Sequence, residues 1–419
     1  MALGRRLSRI AAVGAVLGVL GGTAAAPAVA ADPPGSHWSP LSIAAAGDCT
    51  FPAKDVPGTP WALQRVLLDQ LWQNNTVTGS GVLVAVIDTG VDNQNPQLAG
   101  KVQAGPTLLL DKNNNNQPVA GGSTTDTVGH GTKVAGIIAA AHRDGVGFVG
   151  LAPGSQILSI RQNDDAGSGN VDTLAQAVVD AVNANAQVIN ISQDVRGTNG
   201  DADFAGSGAL KSAIDLAEAH NVVVVAASGN DGQEGATYPA AYPTVLAVGA
   251  SDRNNERASF SEYGDFVKVA APGVDMLSTV PGGGQCVDNG TSFAAPYVAG
   301  VAALLRGEHK DWTARQIRAR IEQTAQRTQR TPDKYLGWGV VDPVKAVTDT
   351  DPPTNDPVPD PAVQLAGSPI LPQPLGLGET QADRDRRTAT YVLGGAVLLV
   401  ALLFGGFVVL RDHRRQQQG

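Results

Sequence analysis

Cysteine and positive charge are both scarce in this 419-residue chain. Only Cys49 and Cys286 are present, so one disulfide between them is the only intramolecular disulfide possible, and two free thiols are the alternative. Acidic residues (39) outnumber lysine and arginine (30), which leaves a net charge of -9. With no basic cluster outside the two termini, this balance argues against a nucleic-acid-binding surface. Charged residues make up only 16% and hydrophobic residues 42%, enough for one large core.

The N-terminal segment has the three parts of a secretory signal peptide. Three arginines among the first nine residues precede an apolar stretch at 10–20, and Ala28-Val29-Ala30 then supplies the small-x-small pattern that signal peptidase cleaves. A retained membrane anchor is the alternative, although this apolar stretch is short for a span. We therefore predict a cleaved signal peptide at 1–30.

A second uncharged segment runs from Tyr391 to Leu410. At about 1.5 Å per residue, a helix of this length spans roughly 30 Å, the thickness of bilayer hydrocarbon. A buried core helix is the alternative, but soluble helices of this length carry a polar face. Basic residues follow at once, so the positive-inside rule places the tail 411–419 in the cytoplasm. We predict a single-pass cell-membrane protein whose main domain is extracytoplasmic.

Composition divides the rest of the chain into three parts. Residues 349–390 are rich in proline and acidic residues, which is typical of an extended, solvated linker. Residues 60–348 carry the globular domain, and residues 31–59 form a short N-terminal extension. Because an exported chain meets an oxidising compartment, we predict a Cys49–Cys286 disulfide that holds this extension against the globular domain as a strap.

Short β-branched runs alternate with longer helical patterns in the middle of the chain. Most of these runs are apolar throughout, as in strands that are covered on both faces. The alternation predicts an α/β fold with a doubly wound parallel sheet, which binds ligands at the carboxyl ends of its strands. The predicted strands are Val82–Ile87, Gln156–Ile160, Val188–Ile191, Val222–Ala226 and Val245–Val248, and the predicted helices are His130–His142, Val171–Ala184, Gly208–His220, Ser292–Gly307 and Thr313–Gln326.

Three short motifs with flanking glycines contain an aspartate, a histidine and a serine. They are Val-Ile-Asp88-Thr-Gly, Gly-His130-Gly-Thr and Gly-Thr-Ser292-Phe-Ala-Ala-Pro. Their chain order, Asp then His then Ser, differs from the chymotrypsin and α/β-hydrolase orders. A weakly nucleophilic serine needs a base, and the base needs an orienting partner, so Ser292 is the expected nucleophile, His130 the base and Asp88 its partner.

The tetrahedral intermediate of such a reaction carries an oxyanion, which needs hydrogen-bond donors aimed at it. The backbone N–H of Ser292 and the side-chain amide of Asn230, after a predicted strand, are the expected donors. Taken singly, each residue also has a structural explanation: Asp88 as a strand-end turn residue, His130 and Ser292 as helix N-terminal residues, and Asn230 as a turn former. All four occur in one order on one α/β pattern, which favours catalysis.

A polar run at 111–116 begins like a calcium-binding loop. Its sixth position is Asn116 rather than Gly, and its twelfth is Gly122 rather than Glu. A surface turn is therefore the preferred interpretation. The expected chemistry requires no cofactor and no metal, and the sequence gives no support for structural calcium.

With these motifs in place, the stretch from about Pro60 to Val347 resembles the catalytic domain of the subtilases, the subtilisin-like serine proteases. The closing segment Leu336-Gly-Trp-Gly-Val-Val-Asp also matches. The resemblance implies a parallel seven-stranded sheet, endoproteolysis through an acyl-enzyme, and a substrate bound as an added strand between two edges. It assigns those edges to Ser192, Gln193 and Asp194 and to Ala227, Ser228 and Gly229.

The layout of the chain narrows the resemblance. A signal peptide, a strap with a cysteine, a subtilase domain, a Pro-rich linker and one C-terminal span are together similar to a mycosin, the membrane-anchored subtilase of type VII secretion systems. This implies a narrow set of secreted protein substrates and contacts with membrane proteins of the secretion complex. A scaffold with incidental activity and a broad-specificity surface protease are the alternatives, and the intact catalytic motifs favour retained chemistry.

The chain departs from the subtilase pattern in ways that bear on specificity. Lys133 stands where many subtilases have histidine, outside the expected triad. Gln193-Asp194 replaces a Leu-Gly that commonly lines the first specificity pocket, so a cleavage preference does not carry over. The segment 31–59 is also short for an inhibitory propeptide domain, which needs roughly 70 residues to own a core. We therefore expect a retained strap.

Overall fold

The computed structural model describes residues 40–41, 49–73, 76–111, 117–118, 121–164, 167–197, 202–361 and 378–417. The predicted signal peptide, most of the predicted strap, the centre of the polar run at 111–116 and residues 362–377 of the predicted linker lie outside these ranges. The chain forms two compact units, Met1–Pro361 and Ala362–Gly419. Each is described separately below.

A seven-stranded parallel sheet forms the centre of the first unit. This confirms the predicted α/β fold. Five strands were predicted, with ends that differ from the observed ones by no more than a few residues. Across the sheet, the order is Val269–Pro272, Val245–Ser251, Val223–Ala227, Val188–Ile191, Leu83–Asp88, Gln156–Arg161 and Val102–Thr107.

The two strands that sequence patterns did not predict lie at the edges of the sheet. Val102–Thr107 contains a glycine and a proline and is partly exposed along its length. Val269–Pro272 is buried but has only four residues and ends in proline. Edge strands tolerate proline because one side of their backbone has no strand partner, and this removes the continuous apolar signal that identifies central strands.

Helices cover both faces of the sheet. Because neighbouring residues of a strand point to opposite faces, Val86 packs in one core and Ile87 in the other. The first core contains helices His130–Ala139 and Thr291–Glu308, and the second contains Val171–Asn183 and Ser207–Ala219. The remaining helices of this unit are Trp61–Gln64, Leu68–Leu71, Ala314–Thr324 and Pro343–Thr348.

Short antiparallel pairs of strands complete the described part of the first unit. The pairs are Val195–Arg196 with Thr237–Tyr238, Met276–Thr279 with Gln285–Asp288, Leu110–Asp111 with Gln117–Pro118, and Pro40–Leu41 with Gly169–Asn170.

The Cys49–Cys286 disulfide is present, as predicted. It joins the N-terminal extension to the hairpin that ends at Asp288, and the backbone of Ala53 donates to the carbonyl of Gly283 at 2.9 Å. Phe51 packs against Gly129, the residue before His130. The described part of the extension therefore lies directly beside the helix that carries the histidine.

A buried ion pair links the same hairpin to the histidine helix. Nζ of Lys133 lies 2.8 Å from Oδ2 of Asp288, and both side chains are at most 5% exposed. The hydroxyl of Ser278 also donates to the carbonyl of Lys133 at 2.6 Å. Because removing one partner leaves the other charge buried and unpaired, this pair is sensitive to single substitutions.

We expect Asp288→Asn to lower the free energy of unfolding by about 3–5 kcal/mol, the usual effect of breaking a buried ion pair from one side. Asp215→Asn is the matched control, because the Lys211–Asp215 pair is about half exposed and contributes about 0.3–0.5 kcal/mol. Urea titration of the full chain in mild detergent measures both. Equal losses in the two variants would contradict a buried, unscreened pair.

The first residues of the predicted linker contact the globular domain. Arg315 forms a bidentate ion pair with Asp356, and Arg327 forms another with Asp360. Arg320 donates to the backbone carbonyls of Asp349 and Asp351. The boundary between the two compact units accordingly falls after Pro361, inside the segment 349–390.

The second unit contains one long helix, Gln381–Gln416. Among the described residues, it is the one helix long and apolar enough to cross a membrane, with a mean hydropathy of 2.6 over its most apolar window. None of its side chains is buried, and Leu393 and Phe404 are both 72% exposed. The helix includes the whole predicted span 391–410 and extends beyond it at both ends.

Candidate active site

The site lies at the carboxyl edge of the sheet, where the strand order reverses. Asp88 is the last residue of its strand, and the next strand in space, Val188–Ile191, leads into Ser192. His130 is the first residue of helix His130–Ala139, and Ser292 is the second residue of Thr291–Glu308. The fold therefore brings the three predicted groups to the edge at which doubly wound sheets bind ligands.

Asp88 and His130 are in direct contact. Nδ1 of His130 lies 2.8 Å from Oδ1 and 3.0 Å from Oδ2 of Asp88, and both residues are at most 1% exposed. The backbone N–H of Thr89 also donates to Oδ1 at 2.7 Å. Because a carboxylate only accepts hydrogen bonds, Nδ1 carries the proton and the neutral ring keeps Nε2 as its acceptor. Nε2 itself is buried without a hydrogen-bond partner among the described residues.

The electrostatics of the site favour a charged imidazole. Burial alone lowers the pKa of His130, but the charge and hydrogen bond of Asp88, with a further contribution from Asp126, outweigh it and raise the pKa above its ordinary value. A base with a raised pKa accepts a proton more readily, and the resulting imidazolium is stabilised by the neighbouring carboxylates.

Ser292 lies beside this pair. The ring of Phe293, the next residue, has its centroid 5.3 Å from that of His130. The Ser292 hydroxyl donates to the backbone carbonyl of Ser192 at 3.0 Å, and the Ser192 hydroxyl donates back to the carbonyl of Ser292 at 3.0 Å. The Ser292 hydroxyl must therefore leave this carbonyl before it can donate to Nε2 of His130.

The amide of Asn230 is oriented by Thr291, the residue before Ser292. Oδ1 of Asn230 accepts hydrogen bonds from the N–H of Thr291 at 2.9 Å and from its hydroxyl at 3.0 Å. These two hydrogen bonds hold Oδ1 of Asn230 against Thr291 and leave the N–H groups of the Asn230 amide free to donate. The N–H of Ser292 lies in the first helical turn, where N–H groups have no intrahelical acceptor. Thr291 was visible only as part of the Gly-Thr-Ser motif.

A buried carboxylate, Asp126, holds the start of the histidine helix. It accepts hydrogen bonds from the hydroxyl of Thr89 at 2.9 Å, from the N–H of Gly129 at 2.8 Å, and from both the N–H and the hydroxyl of Thr132. Burial raises the pKa of Asp126, although its hydrogen bonds oppose this. The sequence signal was an aspartate shortly before a helix start, which is typical of N-terminal caps.

The two expected substrate-binding segments follow adjacent parallel strands. Residues Ser192 to Asp194 come after Val188–Ile191, and Ala227 is the last residue of the next strand, followed by Ser228 and Gly229. The N–H of Ser228 donates to Val248 and that of Gly229 to the hydroxyl of Thr291. The carbonyls of Ser228 and Gly229 likewise accept hydrogen bonds from the hydroxyl of Thr237 and the N–H of Glu262, so the second segment is held firmly within the protein.

An aspartate-bound histidine beside a serine at the start of a buried helix, on a parallel sheet and in the chain order Asp, His, Ser, defines a serine endopeptidase of the subtilisin type. The chain belongs to the Subtilase family, Peptidase_S8, whose pattern it matches over residues 79–339. Among curated proteins, it is 41% identical to subtilisin of Bacillus pumilus over 63% of this chain and 90% of the relative. It is also 41% identical to subtilisin E of Bacillus subtilis (strain 168), of which it spans 65%.

Solved structures of mycosin proteases share the fold. MycP1 with its N-terminal propeptide removed is 36% identical, with a TM-score of 0.61, over 71% of this chain and 99% of the structure. MycP3 protease from the type VII (ESX-3) secretion system is 32% identical, with a TM-score of 0.61, over 75% and 92%. These similarities confirm the subtilase fold and the resemblance to mycosins.

Proposed function

We propose that Asp88, His130 and Ser292 form the catalytic triad of this serine endopeptidase. The Ser292 hydroxyl attacks the peptide carbonyl and passes its proton to Nε2 of His130, which returns it to the leaving amine, and water then releases the acyl group by the reverse steps. Asp88 holds the ring and stabilises the imidazolium. The observation that carries this proposal is the contact between Asp88 and Nδ1, with Nε2 unpartnered and the residue after Ser292 packed against the imidazole.

A fluorophosphonate probe tests the proposal directly, because it reacts only with an activated serine. The full chain in mild detergent should become labelled at Ser292, and peptide mapping identifies the modified residue. Labelling at another serine, or none in folded protein, would remove the basis of the triad assignment.

Asn230 and the N–H of Ser292 supply the proposed oxyanion donors. We expect Asn230→Ala to lower kcat by roughly a hundred-fold or more, with little change in KM, since the donor acts on charge that develops only in the transition state. The magnitude is that measured in subtilisin, a relative. Asn183→Ala, an exposed asparagine at the end of helix Val171–Asn183, is the control and should retain full activity. A variant of Asn230 that unfolds, or that keeps its turnover, would show a structural role instead.

We also propose that the enzyme is held at the cell membrane by the span 391–410, with its catalytic domain outside and the tail 411–419 in the cytoplasm. Exposed leucine, valine and phenylalanine side chains all around helix Gln381–Gln416 support this, because such a surface is unfavourable in water and favourable in lipid. External protease applied to intact cells should degrade the catalytic domain and spare an epitope placed after residue 419. Digestion of that epitope would reverse the proposed orientation.

The proposed substrates are a narrow set of secreted proteins, and the proposed partners are membrane proteins of a type VII secretion complex. The support is the similarity to MycP1 and MycP3, the second of which belongs to such a system. Complementing a deletion strain with the Ser292→Ala variant separates catalysis from scaffolding. Restored secretion with unprocessed substrates would indicate a scaffold role as well. Cleavage of most peptides in an unbiased peptide library would indicate a broad-specificity protease.

A further inference from the structure

The pocket for the residue whose carbonyl is attacked, termed P1, is defined by the groups described above. The attacked carbon must lie at the hydroxyl of Ser292 and its oxygen at the amide of Asn230. The side chain of that residue therefore falls between the segment that follows Ser192 and the segment that ends at Gly229, since these flank the two groups. The chemistry of this space decides which P1 side chain the enzyme accepts.

Two acidic side chains meet at Gly229. A Cβ placed on this glycine would lie 2.6 Å from Cγ of Glu262 and 3.2 Å from Oδ2 of Asp194. Glu262 lies more than thirty residues after Gly229 in the sequence. Its side chain is fully buried. Because Gly229 contributes no side chain, the partly exposed Asp194 borders this space beside the proposed oxyanion donor, and the fully buried Glu262 lies behind it.

Negative charge in this wall is only partly compensated. Arg196 bonds Oε1 of Glu262, while Oε2 of Glu262 is buried without a hydrogen-bond partner among the described residues. The Asp194 carboxylate accepts no hydrogen bond from any described residue. The charged groups that act on Asp194 are Glu262, Asp231 and Arg196, so three carboxylates share one guanidinium. Because Asp194 is only partly buried, a cation that enters this space can pair with its carboxylate and offset the excess negative charge.

The protonation of Asp194 reflects the same imbalance. Burial, followed by the charges of Glu262 and Asp231, raises its pKa to about 7, against the opposing charge of Arg196. An uncharged P1 side chain would bury this carboxyl group further and gain nothing from it. An ammonium or guanidinium would favour its ionised form and would supply the missing positive charge.

Resting on the proposed function, we infer that this endopeptidase selects lysine or arginine at P1, with Asp194 as the specificity-determining carboxylate and Glu262 behind it. The Asp194 carboxylate is accessible beside the nucleophile and is not held by a hydrogen bond from any described residue, so it is free to contact a substrate side chain. The adjacent Gln193 is 1% exposed, and neither atom of its amide has a partner among the described residues. The segment thus keeps unused polar groups next to the nucleophile.

The test uses full-length protein in mild detergent and fluorogenic peptides that differ only at P1, with lysine, norleucine or glutamate. We expect kcat/KM for the lysine peptide to exceed that for norleucine by about 30-fold at pH 8, the lower range for a buried charge pair. Asp194→Asn should lower this lysine-to-norleucine ratio by a similar factor, and Asp194→Glu should retain most of it. Glu308→Gln, which removes one exposed carboxylate at the far end of the Ser292 helix, is the control and should leave the ratio unchanged.

The pH dependence in the unmutated protein gives a second measurement that does not depend on the folding of a variant. The lysine-to-norleucine ratio should rise as the pH increases through about 7, because Asp194 ionises in the free enzyme, whereas titration of His130 affects both peptides equally and cancels. A ratio near one, or one that is constant between pH 6 and 8 and unchanged by Asp194→Asn, would overturn the inference. If the peptide ratio contradicts the inference but the fluorophosphonate labels Ser292 in the same preparation, only the P1 inference fails and the triad proposal stands. If Ser292 is not labelled, the triad proposal itself fails.

Discussion

Replacing Ser292 with alanine is expected to lower kcat by about a million-fold, the loss that the same change causes in subtilisin, a relative of this chain. The alanine removes the proposed nucleophilic hydroxyl in the first turn of this buried helix, next to Phe293, whose ring packs against His130. The residual rate should reflect binding and oxyanion stabilisation alone. Hydrolysis of a fluorogenic peptide by full-length protein measures the effect.

The control for this substitution is Ser207→Ala. Ser207 also lies in the first turn of a helix that follows a glycine, Ser207–Ala219, and its carbonyl accepts a hydrogen bond from Tyr242. This variant should keep full activity, and both variants should unfold at the temperature of the unmutated protein. If Ser292→Ala retained more than about a hundredth of the activity, a different nucleophile would have to be sought.

The hydrogen bond from Ser292 to the carbonyl of Ser192 is compatible with this expectation. Catalytic hydrogen bonds are often absent or long without substrate and tighten when it binds. The two serines bond each other reciprocally, which fixes the start of the Ser292 helix against the segment that precedes Asp194. Substrate binding must then release the Ser292 hydroxyl from this carbonyl before it can donate to Nε2 of His130.

Local sequence patterns identified the parts of the site whose function depends on flanking glycines or on a strand end. Asp88 follows a continuous apolar run, and His130 and Ser292 each stand at a helix start, so each has a local signature. The central strands were predicted for the same reason, because burial on both faces makes them apolar throughout. The edge strand Val102–Thr107 lacks that signal and was missed.

Contacts between distant segments left no such signature. Glu262 approaches Gly229 through the tertiary fold, and no spacing in the chain indicates that it does. Thr291 holds the amide of Asn230 through hydrogen bonds that join two loops far apart in the chain. The sequence therefore predicted the proposed reacting groups and Asp194, whereas the contacts of Thr291 and Glu262 required the structure.

The second large effect concerns the partner of the histidine. Asp88→Asn should lower kcat/KM at pH 8 by about ten-thousand-fold. An asparagine amide can donate a hydrogen bond to Nδ1 of His130, which favours the tautomer with its proton on Nε2. In that tautomer, Nε2 cannot accept the proton of Ser292. It also removes the negative charge that stabilises the imidazolium. Asp144→Asn, at an exposed turn, is the matched control and should behave like the unmutated protein.

The pH profile of Asp88→Asn distinguishes a direct role from a general disturbance of the site. Activity requires neutral His130, so kcat/KM of the unmutated protein should fall about tenfold per pH unit below the raised pKa of that residue. In the variant, burial still lowers the pKa of His130, but the largest contribution that raises it, from the Asp88 carboxylate, is gone. The acid limb of the pH profile should therefore move to lower pH. At acidic pH the variant should then lose a smaller fraction of its activity than the unmutated protein. An acid limb at the same pH in both proteins, measured with one uncharged peptide, would show that Asp88 does not set the charge of the histidine.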